Sequence, residues 1–450
     1  MVQSRVRKVL IAIEAPPDRR KFFNFLVPLG PLGVVSFLES RGIRTDFVDC
    51  QVEDAFPDVS EYDAVGFSVT NVNIGPTLER ARRIKEERPD TRIFVGGPGA
   101  QLDPRYFCQE SVIDAVVTRE AESVISAYLL ATDPGKVPGL WLKDAEGRCF
   151  HTGEQPWKWA LDNLPFPALD RVDISRYDSP IRKARPLSSI VTSRGCPWKC
   201  TFCHHSEGVN WRPRSVQNVV DEIQWQVEKL GVREIAVFDY NFTTDQRRAS
   251  RICREIRERH IDVHLQLAQG SRVDCMSRSL LEDMKAAGFW IIGVAPETGD
   301  PETMRRIGKN FEFRAVRDVV KWCKELDLCT WALFMLGFPW ESEGHVNNTI
   351  RFAQELDADI TQFTRLLYLP GTPLYEEYAA GSTKYRDTSF FDGSRQDDAV
   401  PVPGDFLQRS ISRAYRATNM RPRKILRLLR LLPLSSLYRA TRFALATSNI

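Results

Sequence analysis

Three cysteines stand on one short segment of the chain, Cys196, Cys200 and Cys203, with the spacing Cys-x3-Cys-x2-Cys and no fourth cysteine nearby in sequence. Thiolates bind iron well, and an iron–sulfur cubane normally takes four protein ligands. A loop with three thiols therefore leaves one iron without a protein ligand. The spacing predicts an iron–sulfur site with one coordination position open to a small molecule.

Two other interpretations of this loop are packing or disulfide cysteines and a zinc site. The polar neighbours Lys199, Thr201 and His204 suit an exposed loop better than a core. Zinc could take His204 and His205 as further ligands, but a gap of three residues between the first two thiols is unusual for zinc. We therefore favour the iron–sulfur interpretation.

Length and composition limit the class of protein. A chain of 450 residues with 43% apolar content suits two or three globular domains. The net charge of +3 is too small to argue for a nucleic-acid partner, and no apolar run reaches the ~18 residues that cross a membrane. The other cysteines show no ligand spacing, which is typical of packing residues in a reducing cytoplasm. They are Cys50, Cys108, Cys149, Cys253, Cys275, Cys323 and Cys329.

The cysteine motif resembles that of the radical SAM enzymes, and the resemblance extends over essentially the whole chain to the subfamily with an N-terminal cobalamin-binding domain. It implies that Cys196, Cys200 and Cys203 hold a [4Fe–4S] cluster whose open iron is chelated by S-adenosylmethionine (SAM). Reductive cleavage of SAM would then give a 5′-deoxyadenosyl radical that abstracts hydrogen from a small-molecule substrate. An external one-electron reductant such as flavodoxin is a further expectation from the family.

The N-terminal third alternates short apolar runs with helix-like stretches, which predicts a doubly wound, parallel α/β domain. Ligands of such sheets bind at the carboxyl ends of the strands. The predicted strands are Val9–Ile13, Thr45–Val48, Ala64–Ser68 and Arg92–Val95, and the clearest helices are Gly33–Ser40 and Ile74–Glu87.

This N-terminal order resembles a Rossmann-like cobalamin-binding domain. The resemblance makes four residues in the loops after the third and fourth strands candidates for cobalamin binding: Ser68, Thr70, Gly96 and Gly97. Two positions depart from the family pattern. Gly99 replaces the usual histidine after Gly-Gly-Pro, and Arg119 replaces the glycine of the usual Gly-Glu-x-Glu. The resemblance implies cobalamin as a third cofactor. The residues at positions 99 and 119 depart from the pattern on which that expectation rests.

The central region predicts a partial (β/α)6 barrel, because six apolar strands alternate with amphipathic helices. The predicted strands are Ser188–Ser193, Glu234–Tyr240, Val263–Leu267, Trp290–Ala295, Trp331–Leu336 and Ile360–Arg365. Predicted domain boundaries are 1–150 for the cobalamin-type domain, 151–185 for a linker, 186–375 for the barrel and 376–450 for a short helical C-terminal segment.

Polar residues at the strand ends of the barrel match further family segments. The resemblance places Asp239 and Asn241 in an Asp-x-Asn-Phe segment, assigns Arg272 to the SAM carboxylate and Glu297 to its amine or ribose, and puts Gly337 near the adenine. A guanidinium binds carboxylate in a bidentate way, which suits Arg272. Helix caps and turns are the alternative interpretation of these residues. Phe202, inside the cysteine loop, completes the predicted cofactor contacts.

Three further residues are candidates for catalysis. His204 and His205 follow the third cysteine, and histidine titrates near neutral pH, so either ring is a candidate proton donor or substrate contact. Tyr240 has a similar claim. Hydrogen-bonding support of the loop or simple solvent exposure is the alternative for all three.

The C-terminal run from Arg421 to Leu432 is basic and amphipathic. A helix packed on the barrel is the favoured interpretation, and weak surface contact with anionic lipid is the functional alternative.

Two reactions fit the resemblance. With cobalamin bound, the favoured reaction is C-methylation in natural-product or lipid biosynthesis. The alternative is a cobalamin-independent dehydration or dehydrogenation of an aminoglycoside-type sugar, in which the cobalamin-like domain is vestigial. A non-catalytic iron–sulfur carrier is a third hypothesis, and it predicts no 5′-deoxyadenosine from SAM and reductant.

Overall fold

The computed structural model describes residues 6–17, 26–155, 160–179, 181–388, 402–433 and 436. These residues form two compact units. The first holds the described residues up to Asp173, together with Ser206–Gly208 and residues 385–388. The second holds the remaining described residues, including the whole cysteine loop. Residues beyond 436, part of the predicted C-terminal segment 376–450, lie outside the described residues.

The first unit is a doubly wound sheet, as predicted. Its elements are β1 (Lys8–Ile13), α1 (Leu29–Ser40), β2 (Arg44–Asp49), β3 (Ala64–Ser68), α2 (Ile74–Glu87), β4 (Arg92–Gly96), α3 (Pro98–Leu102), α4 (Pro104–Gln109), β5 (Ala115–Val117), α5 (Ala121–Leu130), β6 (Leu140–Lys143) and β7 (Cys149–His151). The strand order is β2-β1-β3-β4-β5-β6-β7. Strands β1 to β5 pair in parallel, whereas β6 and β7 add an antiparallel extension that the sequence pattern did not predict.

The strand order reverses at β1, which has β2 on one side and β3 on the other. Ligands of doubly wound sheets bind beside such a reversal, at the carboxyl ends of the strands. One buried side chain joins the two loops there. The Asn73 side chain accepts from the Thr70 amide (2.8 Å) and donates to the Glu14 carbonyl oxygen (3.0 Å). The Asn73 side-chain amide therefore joins the loops that follow β1 and β3.

The second unit is an open, parallel six-stranded sheet wrapped by helices, which confirms the predicted partial barrel. Its elements are β8 (Leu187–Ile190), β9 (Ser193–Arg194), β10 (Arg212–Pro213), α6 (Val216–Leu230), β11 (Glu234–Val237), α7 (Gln246–Glu258), β12 (His264–Ser271), α8 (Arg278–Ala286), β13 (Phe289–Glu297), α9 (Pro301–Arg306), α10 (Phe313–Glu325), β14 (Cys329–Leu336), α11 (Glu343–Leu356), β15 (Ile360–Arg365), α12 (Pro373–Tyr378), α13 (Gly404–Asn419) and α14 (Pro422–Leu431). The order is β15-β14-β13-β12-β11-β8, so β8 and β15 are its two edges.

Local sequence accounts for the sharpest element boundaries. Ser215 caps the start of α6 by accepting from the Asn218 amide, and Gly231 ends the helix in the left-handed region at a φ of +67°. Several predicted strand ends were wrong. The first barrel strand, predicted to reach Ser193, ends at Ile190, and the third, predicted to end at Leu267, continues to Ser271. The second barrel strand ends at Val237 and not at Tyr240, because the Asp239 side chain turns to bond the end of β8.

The exposed edge of β15 is covered by side chains of α13. Asn419 bonds both the amide (2.8 Å) and the carbonyl oxygen (2.7 Å) of Thr361, and the Tyr415 hydroxyl does the same for Phe363 (3.2 and 3.1 Å). An uncovered edge strand offers its backbone to other chains, so α13 closes a surface prone to unwanted pairing.

Helix α14 packs on the barrel, as the favoured interpretation of the basic C-terminal run expected. Leu428 and Leu431 lie against the core cluster that contains Trp290 and Cys329. Its outward face keeps Leu426 66% exposed. Over the described ranges, no helix is both long and apolar enough to cross a bilayer.

Candidate active site

The entry to the cysteine loop is fixed by Asp239. Its carboxylate accepts from the Thr192 amide and hydroxyl and from the Ser193 hydroxyl, each at 2.6 Å. Asp239 is only 2% exposed. In this structure its oxygens therefore hold the residues between β8 and the cysteine loop, and Asp239 fixes where that loop begins.

Two other segments clamp the middle of the loop. The Thr201 amide donates to the Ile307 carbonyl oxygen (3.1 Å), and the Thr201 carbonyl oxygen accepts from the Leu374 amide (3.1 Å). Within the loop, His205 Nε2 donates to the Trp198 carbonyl oxygen (2.7 Å). Backbone from after α9 and from the start of α12 thus holds the loop that carries the thiols.

Burial raises the pKa of each of the three thiols, that of Cys203 to about 12, while the charge of Lys309 opposes the increase. The thiols are close enough for the charges of Cys196 and Cys200 to raise the pKa of Cys203. Within the described ranges no three Cys, His, Asp or Glu side chains converge tightly enough to hold a metal ion by themselves. Because ligating thiols must be deprotonated, cluster assembly on this loop would release protons.

Arg272 follows an irregularity in β12, where the pairing with β13 shifts register between Leu267 and Ser271. Its guanidinium donates to Asp274 (3.0 and 2.8 Å) and to the Lys309 carbonyl oxygen (2.8 Å), and it lies over the Trp198 ring. The third nitrogen, Nη1, is buried without a hydrogen-bond partner. A buried donor left open in this way fits an incoming carboxylate.

Glu297 ends β13 in a strained backbone conformation, with a φ of +64°. Its Oε1 accepts from Lys309 Nζ at 2.9 Å, and the two side chains are 13% and 6% exposed. Non-glycine residues rarely hold positive φ, and such strain persists where the surroundings enforce it. The sequence analysis named Arg272 and Glu297 as SAM-binding residues but missed Lys309. That lysine follows a helix and matches no motif.

A turn after β14 contributes an apolar wall beside the loop. Gly337 has a φ of +95°, and Glu341 closes the turn by accepting from the Gly337 (2.7 Å) and Phe338 (3.1 Å) amides. The Phe202 ring packs edge-on against Phe338, with centroids 6.0 Å apart. The structure thus brings two predicted cofactor residues, Phe202 and Gly337, to one surface.

The remaining predicted residues are distributed around the loop. Burial lowers the pKa of His204 to about 4, so its ring is neutral at pH 7. Its Cδ2 lies 3.8 Å from where a Cβ at Gly371 would stand. Tyr240 is 39% exposed, whereas Asn241 is buried and accepts from the Arg272 amide (3.1 Å). Catalytic roles for His204, His205 and Tyr240 stay predictions.

Cys275 is a neighbour of the thiols that the sequence did not indicate. Its thiol is hydrogen-bonded to the Asn241 side chain, and the charge of Cys196 raises its pKa. Burial is the main cause of that increase, to about 11. The fold therefore brings a fourth cysteine into electrostatic range of the motif from the turn after β12.

In the first unit, the loops after β3 and β4 pack backbone against backbone. Gly97 has a φ of +91°, and a Cβ there would stand 2.8 Å from the Val69 carbonyl oxygen. A Cβ at Gly99 would stand 2.5 Å from the Thr70 carbonyl carbon. Ser68 and Gly96 are paired in the register of the two strands. The usual family histidine at position 99 has no room in this packing.

Arg119 has a strained backbone conformation, with a φ of +96° in the loop after β5. Glycine tolerates this conformation, whereas a Cβ makes it unfavourable. We expect Arg119→Gly to unfold at a higher temperature than Arg119→Ala, since alanine keeps the strain. The difference in the free energy of unfolding is expected to be about 1 kcal/mol. Both variants lose the ion pair with Glu154, so thermal unfolding of the two isolates the backbone effect. Equal melting temperatures would contradict it.

Comparisons with known proteins agree with this arrangement. A family model described as the radical SAM superfamily matches residues 190–353, and one described as a B12 binding domain matches residues 19–129. An uncharacterized methyltransferase of Pyrococcus horikoshii is 27% identical over 444 residues, which cover 94% of this chain and 95% of that protein. The cytidylyl-2-hydroxyethylphosphonate methyltransferase of Streptomyces wedmorensis is 23% identical, over 81% of this chain and 74% of that protein.

A solved structure shares the fold. It is the radical SAM methyltransferase TsrM from Kitasatospora setae with cobalamin and a [4Fe–4S] cluster bound, with a TM-score of 0.66 and 22% identity over 83% of this chain and 78% of that one. The two family matches fall within the doubly wound unit and the open barrel in turn. The chain is therefore an enzyme of the radical SAM superfamily that carries a B12-binding domain ahead of its radical SAM domain, and its cofactors are those of the family: a [4Fe–4S] cluster, SAM and cobalamin.

Proposed function

We propose that this enzyme methylates a carbon atom of a small molecule in natural-product or lipid biosynthesis, using SAM and cobalamin. The observation that carries the proposal is the loop of Cys196, Cys200 and Cys203 beside the open Nη1 of Arg272, in a chain that also matches a B12-binding domain. The methyltransferase names of its relatives support the same reaction class.

Different residues of the barrel are proposed to bind different groups of SAM. When bound, the cluster and SAM supply a 5′-deoxyadenosyl radical for hydrogen abstraction, and methylcobalamin supplies the methyl group. Arg272 Nη1 is proposed to bind the carboxylate of SAM, and Glu297 its amine or ribose. The rings of Phe202 and Phe338 would exclude water beside the adenine, because they already form an apolar surface.

The cobalamin site is proposed for the carboxyl ends of β3 and β4. Gly96 and Gly97 allow a flat ligand to approach the backbone closely, and Ser68 and Thr70 offer hydroxyl groups in the adjacent loop. Strand β3 adjoins β1, where the strand order reverses, and ligands of doubly wound sheets bind at the carboxyl ends beside such a reversal. The predicted domain boundaries at residues 150, 185 and 375 remain part of the proposal.

A cobalamin-independent reaction is the second candidate. It is favoured by one observation, the lack of space for a side chain at Gly99 where the family usually has histidine. In that case the enzyme would dehydrate or dehydrogenate an aminoglycoside-type sugar with the same barrel residues. The two candidates differ in whether the first unit holds a corrinoid.

Anaerobic reconstitution distinguishes the two reactions. The methylase is expected to bind one equivalent of corrinoid per chain and to form S-adenosylhomocysteine as well as 5′-deoxyadenosine, because a second SAM remethylates cobalt. Dehydration or dehydrogenation would give 5′-deoxyadenosine with no bound corrinoid. If reductant and SAM give no 5′-deoxyadenosine, both proposals are wrong.

Partners beyond the substrate are also proposals. An external one-electron reductant such as flavodoxin would feed the cluster. A cytoplasmic location fits the seven cysteines outside the motif, which show no ligand spacing in the sequence. Weak lipid contact through α14 is supported by the exposed Ile425, Leu426 and Leu429 beside Arg423 and Arg430. Co-sedimentation with phosphatidylglycerol vesicles tests that contact, and binding that is lost in Leu426→Gln would support it.

A further inference from the structure

Lys309 touches both residues that are proposed to bind SAM. Its ammonium donates to Glu297 Oε1 (2.9 Å) and to the Ala295 carbonyl oxygen (2.5 Å), while its own carbonyl oxygen accepts from Arg272 Nη2 (2.8 Å). The side chain is 6% exposed. One residue from the segment after α9 therefore joins the ends of β12 and β13.

The contacts of Lys309 leave one binding atom open on each partner. Arg272 keeps Nη1 buried without a partner, and among the described residues no donor reaches Glu297 Oε2. A buried lysine and carboxylate at hydrogen-bond distance each lower the desolvation cost of the other.

The strained backbone of Glu297 indicates that its neighbours hold it in place. The backbone of Glu297 has an unfavourable φ of +64°, and Lys309 pairs with its carboxylate. Released from that ion pair, the side chain would be free to turn toward Arg272 or the solvent. Strained residues that are held by their neighbours cluster at ligand sites.

We propose that Lys309 is the positioning residue of the SAM site. Its ammonium holds Glu297 Oε1 so that Oε2 faces the ligand amine or ribose, and its backbone carbonyl oxygen holds Arg272 so that Nη1 faces the carboxylate. The inference rests on the proposed function and deepens it. A neutral side chain at 309 then weakens SAM binding without removing any atom that touches SAM.

A second buried lysine provides a matched control. Lys424 is 5% exposed, donates to the Ala358 carbonyl oxygen and pairs with Asp357 at 3.4 Å, so its partners are of the same kinds as those of Lys309. Ala358 precedes β15, whereas Ala295 lies near the carboxyl end of β13. Lys309→Met and Lys424→Met therefore remove the same charge from two buried lysines at opposite ends of the strands, with Asp357 46% exposed and Glu297 13% exposed.

The test compares the two variants in reconstituted full-length enzyme. The dissociation constant of SAM and the SAM-induced change in the electron paramagnetic resonance spectrum of the reduced cluster are measured, with iron and sulfide content. We expect Lys309→Met to weaken SAM binding at least ~10-fold at unchanged iron content, and Lys424→Met to bind SAM like the wild type. Lys309→Gln, which retains a donor, serves as a second variant if methionine prevents folding.

Glu297→Gln completes a double-mutant cycle. If Lys309 acts through Glu297, then Lys309→Met costs less SAM affinity in the Glu297→Gln background than in the wild type. Equal SAM affinity of Lys309→Met and Lys424→Met would overturn the positioning role alone. A wild-type enzyme without any SAM-dependent spectrum would instead overturn the proposed function, and this inference with it.

Discussion

Serine at any one of Cys196, Cys200 or Cys203 is expected to reduce reductive SAM cleavage to below about 1% of the wild-type rate. Each thiol is one of only three ligands on the loop, so no spare thiol within it replaces the lost one. Serine is nearly isosteric and the loop is clamped through Thr201, so we expect the barrel to stay folded. The measurements are iron and sulfide content, the cluster spectrum with and without SAM, and the yield of 5′-deoxyadenosine.

Cys275→Ser is the matched control for these variants. Cys275 lies within electrostatic range of Cys196, yet its thiol is hydrogen-bonded to the Asn241 side chain. We expect this variant to keep its iron and its response to SAM. If Cys275→Ser loses the cluster, Cys275 is the fourth ligand, and the open coordination position that the whole reaction needs does not exist.

Alanine at Gly99 is expected to lower the melting temperature of the first unit by several degrees and to abolish corrinoid binding. Its Cβ would stand 2.5 Å from the Thr70 carbonyl carbon, and overpacking of this kind costs about 1–3 kcal/mol. The atoms in the way belong to the backbone of the loop proposed to hold cobalamin, so they cannot move without displacing Thr70. Thermal unfolding and corrinoid stoichiometry after reconstitution measure the two effects.

Gly30→Ala is the control for the same chemical change. Gly30 lies in α1, and a Cβ added there would meet no atom within 4 Å. Alanine also favours a helix over glycine, so we expect an unchanged or slightly higher melting temperature. The close packing of the two loops would be disproved if Gly99→Ala and Gly30→Ala melted and bound corrinoid alike.

Periodic segments of the sequence predicted the fold well. Helix α2 begins and ends at the predicted residues, Ile74 and Glu87, because amphipathic periodicity acts over a few neighbouring residues. The β6–β7 hairpin was missed. Its strands are short, Leu140–Lys143 and Cys149–His151, and they become strands only by pairing with each other and with β5.

The chemistry of the thiol loop follows from the sequence by itself, because Cys196, Cys200 and Cys203 are close along the chain and their spacing needs no fold to be read. The tertiary structure decided which charges act on that loop. Lys309 and Cys275 reach it from distant segments, and Asp239 orders the loop by bonding Thr192 across two strands. Residues far apart in sequence meet only when parallel strands bring their carboxyl ends to one edge, so spacing alone could not identify them.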